Sequence, residues 1–308
     1  MSSKLIAYTC DEFVLPLPDG HRFPMLKYRR LRERAVTEGV LLPEQLQTPA
    51  PIDDASILRV HTREYLESLV EGTLERSAVR LLGFPWSPAL LERSRRSASA
   101  TYLAARSALE RSNDGLRAGI NLAGGTHHAF PDHGEGFCVL NDAAIALRKL
   151  QHEGHIERAL VVDCDVHQGN GTAVIFERDE TVFTLSIHGR RNYPFRKKRS
   201  SLDVELENDT GDDAYLAALR PALAEAVGAA RADVAIYLAG ADPFVGDRLG
   251  KLALTKDGLL RRDQLVFETL SDAGVPVAVA MAGGYANDVE DIVDIHLGTV
   301  RQVTRLGF

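Results

Sequence analysis

Six short, largely apolar runs set most of what this chain can fold into. They occupy residues 5–8, 120–123, 159–162, 182–187, 234–239 and 277–281, several of them flanked by Gly or Asp. Runs of this length without polar alternation are expected of strands buried on both faces, as in a parallel sheet lying between helical layers. Helical patterns fill the intervals. One covers residues 88–111. A second is capped by Asn141 and stops near Gly154. A third covers 213–230, with Pro221 marking a kink or a break. A fourth follows Thr255 and ends before Gly274. Strands alternating with helices predict an α/β fold, with a central, mostly parallel sheet and helices on both faces. No linker-like tract, repeat or break in composition divides the 308 residues, so one domain is expected over 1–308.

Charge and cysteine content exclude several classes of function. The net charge is −7, where a nucleic-acid binder normally shows a basic balance or stripe. The one basic run, Arg190, Arg191, Arg196, Lys197, Lys198 and Arg199, reads as a solvated loop. Direct binding to DNA or RNA is not expected. Cys10, Cys138 and Cys164 are too few and too scattered for a disulfide framework. No basic region followed by a long apolar stretch opens the chain, and no run approaches the roughly 20 residues that span a bilayer. The expectation is a soluble, cytoplasmic protein with reduced thiols and no membrane contact.

The chemically rich segments sit where the apolar runs end, and open parallel sheets bind ligands beyond the carboxyl ends of their strands. In residues 159–171, ALVVDCDVHQGNG, a strand runs into Asp163, Asp165 and His167. Residues two apart share a face in extended chain, so two carboxylates and an imidazole converge there. Buried together, they call for a neutralising cation, and oxygen plus imidazole donors suit Zn²⁺ or Fe²⁺. A surface turn with solvated acids is the bland alternative. In residues 237–247, YLAGADPFVGD, Asp242 ends another strand and supplies a third donor, although an Asp-Pro turn alone is commonplace. In residues 121–138, NLAGGTHHAFPDHGEGFC, the tandem His127 and His128 on a Gly-rich loop suit acid–base work, and His133 reads as a loop residue. In residues 277–286, VAVAMAGGYA, the phenol of Tyr285 suits donation to an oxyanion, or else caps the core with its hydroxyl in water.

Together, and in this order, the motifs HH, GFC, DCDVHQGNGT, GADPFVGDRLG and GGY resemble the histone deacetylase family, of the arginase/deacetylase fold. The resemblance also takes in HRFPMLKY near the N-terminus and extends to about Ala286. It implies that Asp165, His167 and Asp242 ligate a catalytic Zn²⁺, or Fe²⁺. It makes His128 the general base and later acid, His127 its electrostatic partner, and Tyr285 the group polarising the carbonyl. Asp163 would orient His127, and Asn170 would orient His128. A structural K⁺ would lie near Asp163, Asp165, His167, Ser186 and Ile187. Gly136 and Phe137 would line one wall of an acyl-lysine tunnel, with Tyr193 or Phe195 on the other, and Leu249, Gly283 and Gly284 completing it. The implied activity is removal of acetyl or longer acyl groups from N-acyl-lysine, in a peptide or protein, or from a related small acyl amide.

Departures from the family pattern refine this reading. His167-Gln168-Gly169 replaces the frequent His-His-Gly and, with Asn170, resembles class IV and its bacterial relatives. The rim segment LLGFPWSP, residues 81–88, carries no acid to grip a peptide backbone. Leu249 stands where relatives specific for polyamines place a glutamate, so a strongly cationic substrate is not expected. Gly169 and Gly240 stand where arginase-type relatives carry the acids for a second metal, which predicts one transition ion per chain. Three alternatives stay open: a fatty-acyl-lysine deacylase, an acetylpolyamine amidohydrolase, and a module that binds acyl-lysine without turning it over. The oligomeric state is not legible.

Overall fold

The computed structural model describes residues 5–110 and 116–306. The expected end of the long helix at Arg111, and the domain termini 1–4 and 307–308, lie outside the described residues. The strands are β1 (Ala7–Tyr8), β2 (Leu46–Gln47), β3 (Ala118–Asn121), β4 (Ala159–Asp163), β5 (Val182–Gly189), β6 (Leu202–Leu206), β7 (Val234–Leu238) and β8 (Val277–Ala280). They form one sheet in the order β2-β1-β3-β8-β7-β4-β5-β6, and every pairing is parallel. The six apolar runs became β1, β3, β4, β5, β7 and β8. The sequence reading missed β2 and β6: β2 has two residues, and β6 is an edge strand whose LDVEL alternates polar and apolar groups.

The helices are α1 (Leu26–Thr37), α2 (Asp54–Ile57), α3 (Arg63–Glu71), α4 (Arg76–Leu82), α5 (Pro88–Glu110), α6 (Asp142–His152), α7 (Asn170–Phe176), α8 (Asp212–Ala230), α9 (Lys256–Asp272) and α10 (Val289–Leu306). The capping signals act as expected. The side chains of Asn141 and Thr255 accept hydrogen bonds from Ala144 N and Gly258 N, opening α6 and α9. Pro221 does not break α8; it sits on the exposed side of one continuous helix, where its ring meets solvent rather than the core.

Helices cover both faces, and the strands show how. Ala159 and Val161 of β4 pack into the core formed with α3, α5 and α6, whereas Leu160 and Val162 pack into the opposite core, formed with α1, α8, α9 and α10. Val234, Ile236 and Leu238 of β7 alternate with Ala235 and Tyr237 in the same way. Continuous apolar sequence is therefore required, because no side of these strands meets water. The polar residues begin where the strands stop, at the carboxyl edge of β3, β4, β5, β7 and β8.

Candidate metal centre

Asp163 closes β4, and the chain then turns through Asp165 and His167 into α7. Backbone amides fix the carboxylates. Asp165 N donates to Asp163 Oδ1 at 3.1 Å, His167 N to Asp165 Oδ1 at 3.0 Å and Gly283 N to Asp165 Oδ2 at 2.8 Å. Val166 N donates to Asp242 Oδ1 at 2.9 Å, tying the loop after β7 to the loop after β4.

These bonds bring Asp165, His167 and Asp242 together, each buried, with one donor atom apiece lying within 4.8 Å of the others. His167 Nδ1 lies 2.9 Å from Asp165 Oδ1 and 3.2 Å from Asp242 Oδ2. A single Nδ1 proton serves only Asp165, so Asp242 Oδ2 is buried without a hydrogen-bond partner. An orphaned carboxylate oxygen is expensive, and an ion with bonds of about 2.0–2.2 Å to all three groups would satisfy it. Charge balance agrees. Burial, then the neighbouring Asp165, push the Asp242 carboxyl up to about 7. Burial works against the His167 imidazolium, but Asp165 and Asp242 outweigh it and hold the ring up to about 10. Protons thus sit where a cation fits, and metal binding would release them. This donor set fits one divalent ion.

The neighbouring histidines are held in opposite states. His127 Nδ1 lies 2.7 Å from Asp163 Oδ2; burial opposes its charge, but Asp163 and Asp165 raise its pKa to about 9. His128 Nδ1 lies 2.6 Å from the amide oxygen of Asn170, the first residue of α7. Burial, and then the nearby His127 and His167, hold His128 well below the usual imidazole range. The two rings are 4.2 Å apart, so a neutral imidazole stands against a charged one. Tyr285 is buried too; burial, then Asp165 and Asp242, raise its phenol well above 10 and keep the proton on it.

A cavity of about 500 Å³ leads from solvent to His128, His167 and Tyr285. Gly136, Phe137, Tyr193, Phe195 and Leu249 all line it. Gly136 (φ 56°) and Phe137 (φ 67°) both adopt left-handed backbone, which is costly for Phe and turns its ring toward the cavity. A side chain at 136 would strike His128 Cδ2 at 2.7 Å, so only glycine lets that imidazole close on the wall. Tyr193 faces His128 edge-on at 5.1 Å, and Phe195 stands 84% exposed at the rim. Gly283 belongs to a smaller chamber of about 50 Å³ beyond Tyr285. Gly284 lines neither space and packs against Ile292, Ala241 and His296. Ser186 pairs with Asp163 in the β4–β5 ladder, and its hydroxyl lies 2.9 Å from His188 Nδ1. The Ile187 side chain is in the core, leaving only its backbone free to face an ion. His133 lies apart, against Asp132.

Sequence reasoning gave no role to several buried polar residues here. Glu135 accepts from the Asn170 amide. Lys27 of α1 donates to the carbonyls of Ala282 and Gly284, at 3.2 and 3.4 Å; burial lowers it to about 8 against the pull of Asp242, Asp165 and Asp247. Arg262 of α9 donates from Nη1 to the carbonyls of Gly240 and Cys164, at 2.6 and 3.3 Å. Gln168 bonds Lys198 through both its amide atoms and donates to Asp203 at 2.8 Å, tying the basic run to the site. Glu135 and Lys27 lie inside motifs that already stood out, GEGFC and HRFPMLKY. Arg262 carries no local signal, because its partners are fixed only once α9 covers the sheet edge.

Residues 21–300 match the model of the histone deacetylase domain, so the chain belongs to the histone deacetylase family. That is a family of metal-dependent deacetylases acting on acyl-lysine or small amide substrates. The chain is 46% identical, over 92% of its own length and 93% of the other, to an uncharacterized protein of Picosynechococcus sp. (strain ATCC 27264 / PCC 7002 / PR-6). It is 30% identical to histone deacetylase 2 of Arabidopsis thaliana, over 86% of this chain and 70% of that one. The fold matches the crystal structure of an HDAC homologue complexed with SAHA, with a TM-score of 0.83, 23% identity, and coverage of 98% of this chain and 84% of the other. Family and α/β architecture therefore agree with the reading from sequence. Among the described residues, no helix is long and apolar enough to cross a membrane.

Proposed function

We propose that the protein is a single-metal amidohydrolase of the class IV type that removes acetyl or other short acyl groups from N-acyl-lysine or a related small acyl amide. The observation that carries this is the convergence of Asp165, His167 and Asp242 beside one neutral histidine, one charged histidine and one protonated phenol. A Zn²⁺ ion, or Fe²⁺, held by the three ligands would supply Lewis acidity, acidifying water and polarising the acyl carbonyl. Asn170 accepts the Nδ1 proton of His128, which leaves Nε2 of that ring free to take a proton from the attacking water. The Tyr285 hydroxyl donates to the developing oxyanion. The charged His127, anchored by Asp163, adds positive potential beside the negative charge that builds up. His128 then returns its Nε2 proton to the leaving amine.

Two further features refine the proposal. A side chain at Gly240 would strike the Asp165 backbone at 2.7 Å, and one at Gly169 would strike Asp163 Oδ2 at 2.4 Å. That crowding favours one transition ion over two. The chamber beyond Tyr285, about 50 Å³, has room for only a few water-sized groups, which favours short acyl chains over fatty ones. A K⁺ beside Asp163, Ser186 and the Ile187 backbone is proposed as a structural companion. The test is a panel of acetyl-, octanoyl- and myristoyl-lysine peptides, assayed with and without chelator, alongside metal analysis. Acetyl-lysine turnover that chelation abolishes, and that Tyr285→Phe lowers by about 10²–10³ with metal content unchanged, is expected. Chelator-resistant turnover, or two transition ions per chain, would sink the proposal.

A further inference from the structure

We propose that the tunnel mouth is an anion-recognition site, and that the acyl amide it selects carries a carboxylate on its amine half. The inference rests on the hydrolase reading above and deepens it by naming the charge of the substrate. Four cationic side chains from four separate segments line the cavity: Arg22 before α1, Arg80 on α4, Arg191 after β5 and Lys251 after β7. All four are exposed, and none of these side chains has an ion pair or hydrogen bond to a described residue. The lining contains no aspartate and no glutamate.

That arrangement differs from ordinary surface charge. The chain as a whole carries −7, and two cations of the adjoining basic run already have partners. Arg190 pairs with Glu205 and Glu207, and Lys197 donates to three backbone carbonyls. Two carboxylates behind the walls are occupied as well. Glu135 is buried against Asn170, and Asp247 accepts from the amides of Leu249, Gly250 and Tyr285. Among the described residues, no carboxylate therefore pairs with the rim cations. Like charges around a funnel with low-dielectric walls focus their field into it. Guanidinium groups without partners match a carboxylate in charge and geometry. With the scissile carbonyl between His128 and Tyr285, the amine half points outward past Phe137 and Tyr193. The rim then reads the amine half, while the small inner chamber reads the acyl group.

The carboxylate has two sources, acidic residues flanking an acyl-lysine or the α-carboxylate of a free acyl-amino acid. The test uses the metal-loaded protein and end-blocked acetyl-lysine peptides flanked by Glu, Ala or Lys, together with Nε-acetyl-lysine and its amide. kcat/KM is measured for each, and affinity by fluorescence anisotropy of dye-labelled peptides. Glu-flanked peptides are expected to exceed Lys-flanked ones by about tenfold or more in both readouts, with the gap narrowing in about 0.5 M salt. Preference for Nε-acetyl-lysine over its amide identifies the free acyl-amino acid as the source. The combined variant R22Q/R80Q/R191Q/K251Q should erase the charge preference, so that Glu-, Ala- and Lys-flanked peptides converge in both readouts. Equal or better binding of Lys-flanked peptides, or a preference that survives in the variant, overturns the inference. If no substrate is hydrolysed, the hydrolase proposal fails, and the order of affinities alone still decides this one.

Discussion

His128 turns its Nδ1 to the amide oxygen of Asn170 at 2.6 Å, a partner that orients the ring without adding charge. Around it stand the charged His127, His167 and the Tyr193 ring. Asn170→Asp places a carboxylate there; it and Glu135 would share a proton, and the negative charge left against the ring favours the imidazolium. Because a general base must be neutral, the role proposed for His128 predicts that, as pH falls, activity is lost at a higher pH than in the wild type. The acid limb of the kcat/KM profile is expected to rise by about one unit or more. An unmoved limb would show that His128 is not the titrating base.

Glycine 283 is pressed against the ligands. A Cβ there would stand 2.0 Å from Asp242 Oδ2 and 2.5 Å from Asp165 Oδ2. Gly283→Ala should lose metal and turnover together while keeping a native circular dichroism spectrum. Gly228→Ala, in open space within α8, should keep full activity and gain up to about 1 kcal/mol from helix propensity. Retention of the metal by Gly283→Ala would contradict this geometry.

Arg262 joins the two ligand loops through the Gly240 and Cys164 carbonyls, and its charge is met by Asp263, with both groups fully buried. Arg262→Gln leaves Asp263 uncompensated and should cost about 3–5 kcal/mol in denaturant unfolding. Weaker metal retention should accompany the loss, since the carbonyls that space the loops lose their donor. A double variant with Asp263→Asn should recover part of the stability. Unfolding at the wild-type denaturant midpoint would contradict the role given to this pair.

Acid should destabilise the fold through His61. Its Nδ1 donates to the Phe130 carbonyl at 2.9 Å, and its Nε2 accepts from Asn141 N at 3.0 Å, so the folded ring is neutral. Burial lowers its pKa from 6.5 to about 4. The unfolded chain takes up the proton first, so this contribution is complete above about 6.5 and disappears as pH falls toward 4. It amounts to roughly 3 kcal/mol. Urea unfolding at pH 7.5 and at pH 4.5 should show the loss in wild type and a smaller loss in His61→Gln. Equal losses would assign the effect to the other buried histidines.

Much of this molecule was legible before its coordinates, for identifiable reasons. Strands with two buried faces must be apolar throughout, so β4, β7 and β8 declared themselves, and the polar residues that interrupt them marked the sheet edge. The half-exposed β6 carried no such signal. The proposed ligand pair could be picked out because Asp165 and His167 lie two apart on one segment leaving β4. Asp242 was readable as a third donor at the same sheet edge, although a lone Asp-Pro turn is commonplace, and the resemblance then made it their partner. Arg262, Lys27 and the cationic rim were not readable, because their meaning depends on which remote segments meet.

The glycines at 136, 169, 240 and 283 leave no space for even one added methyl beside the histidines and carboxylates. Arg22, Arg80, Arg191 and Lys251 face water on loops or a helix end. One added methyl is thus excluded on the floor of the funnel, whereas the exposed side chains at its doorway meet no such steric limit. On the proposed reading, a new substrate preference can be written at the threshold alone, leaving the packed floor untouched.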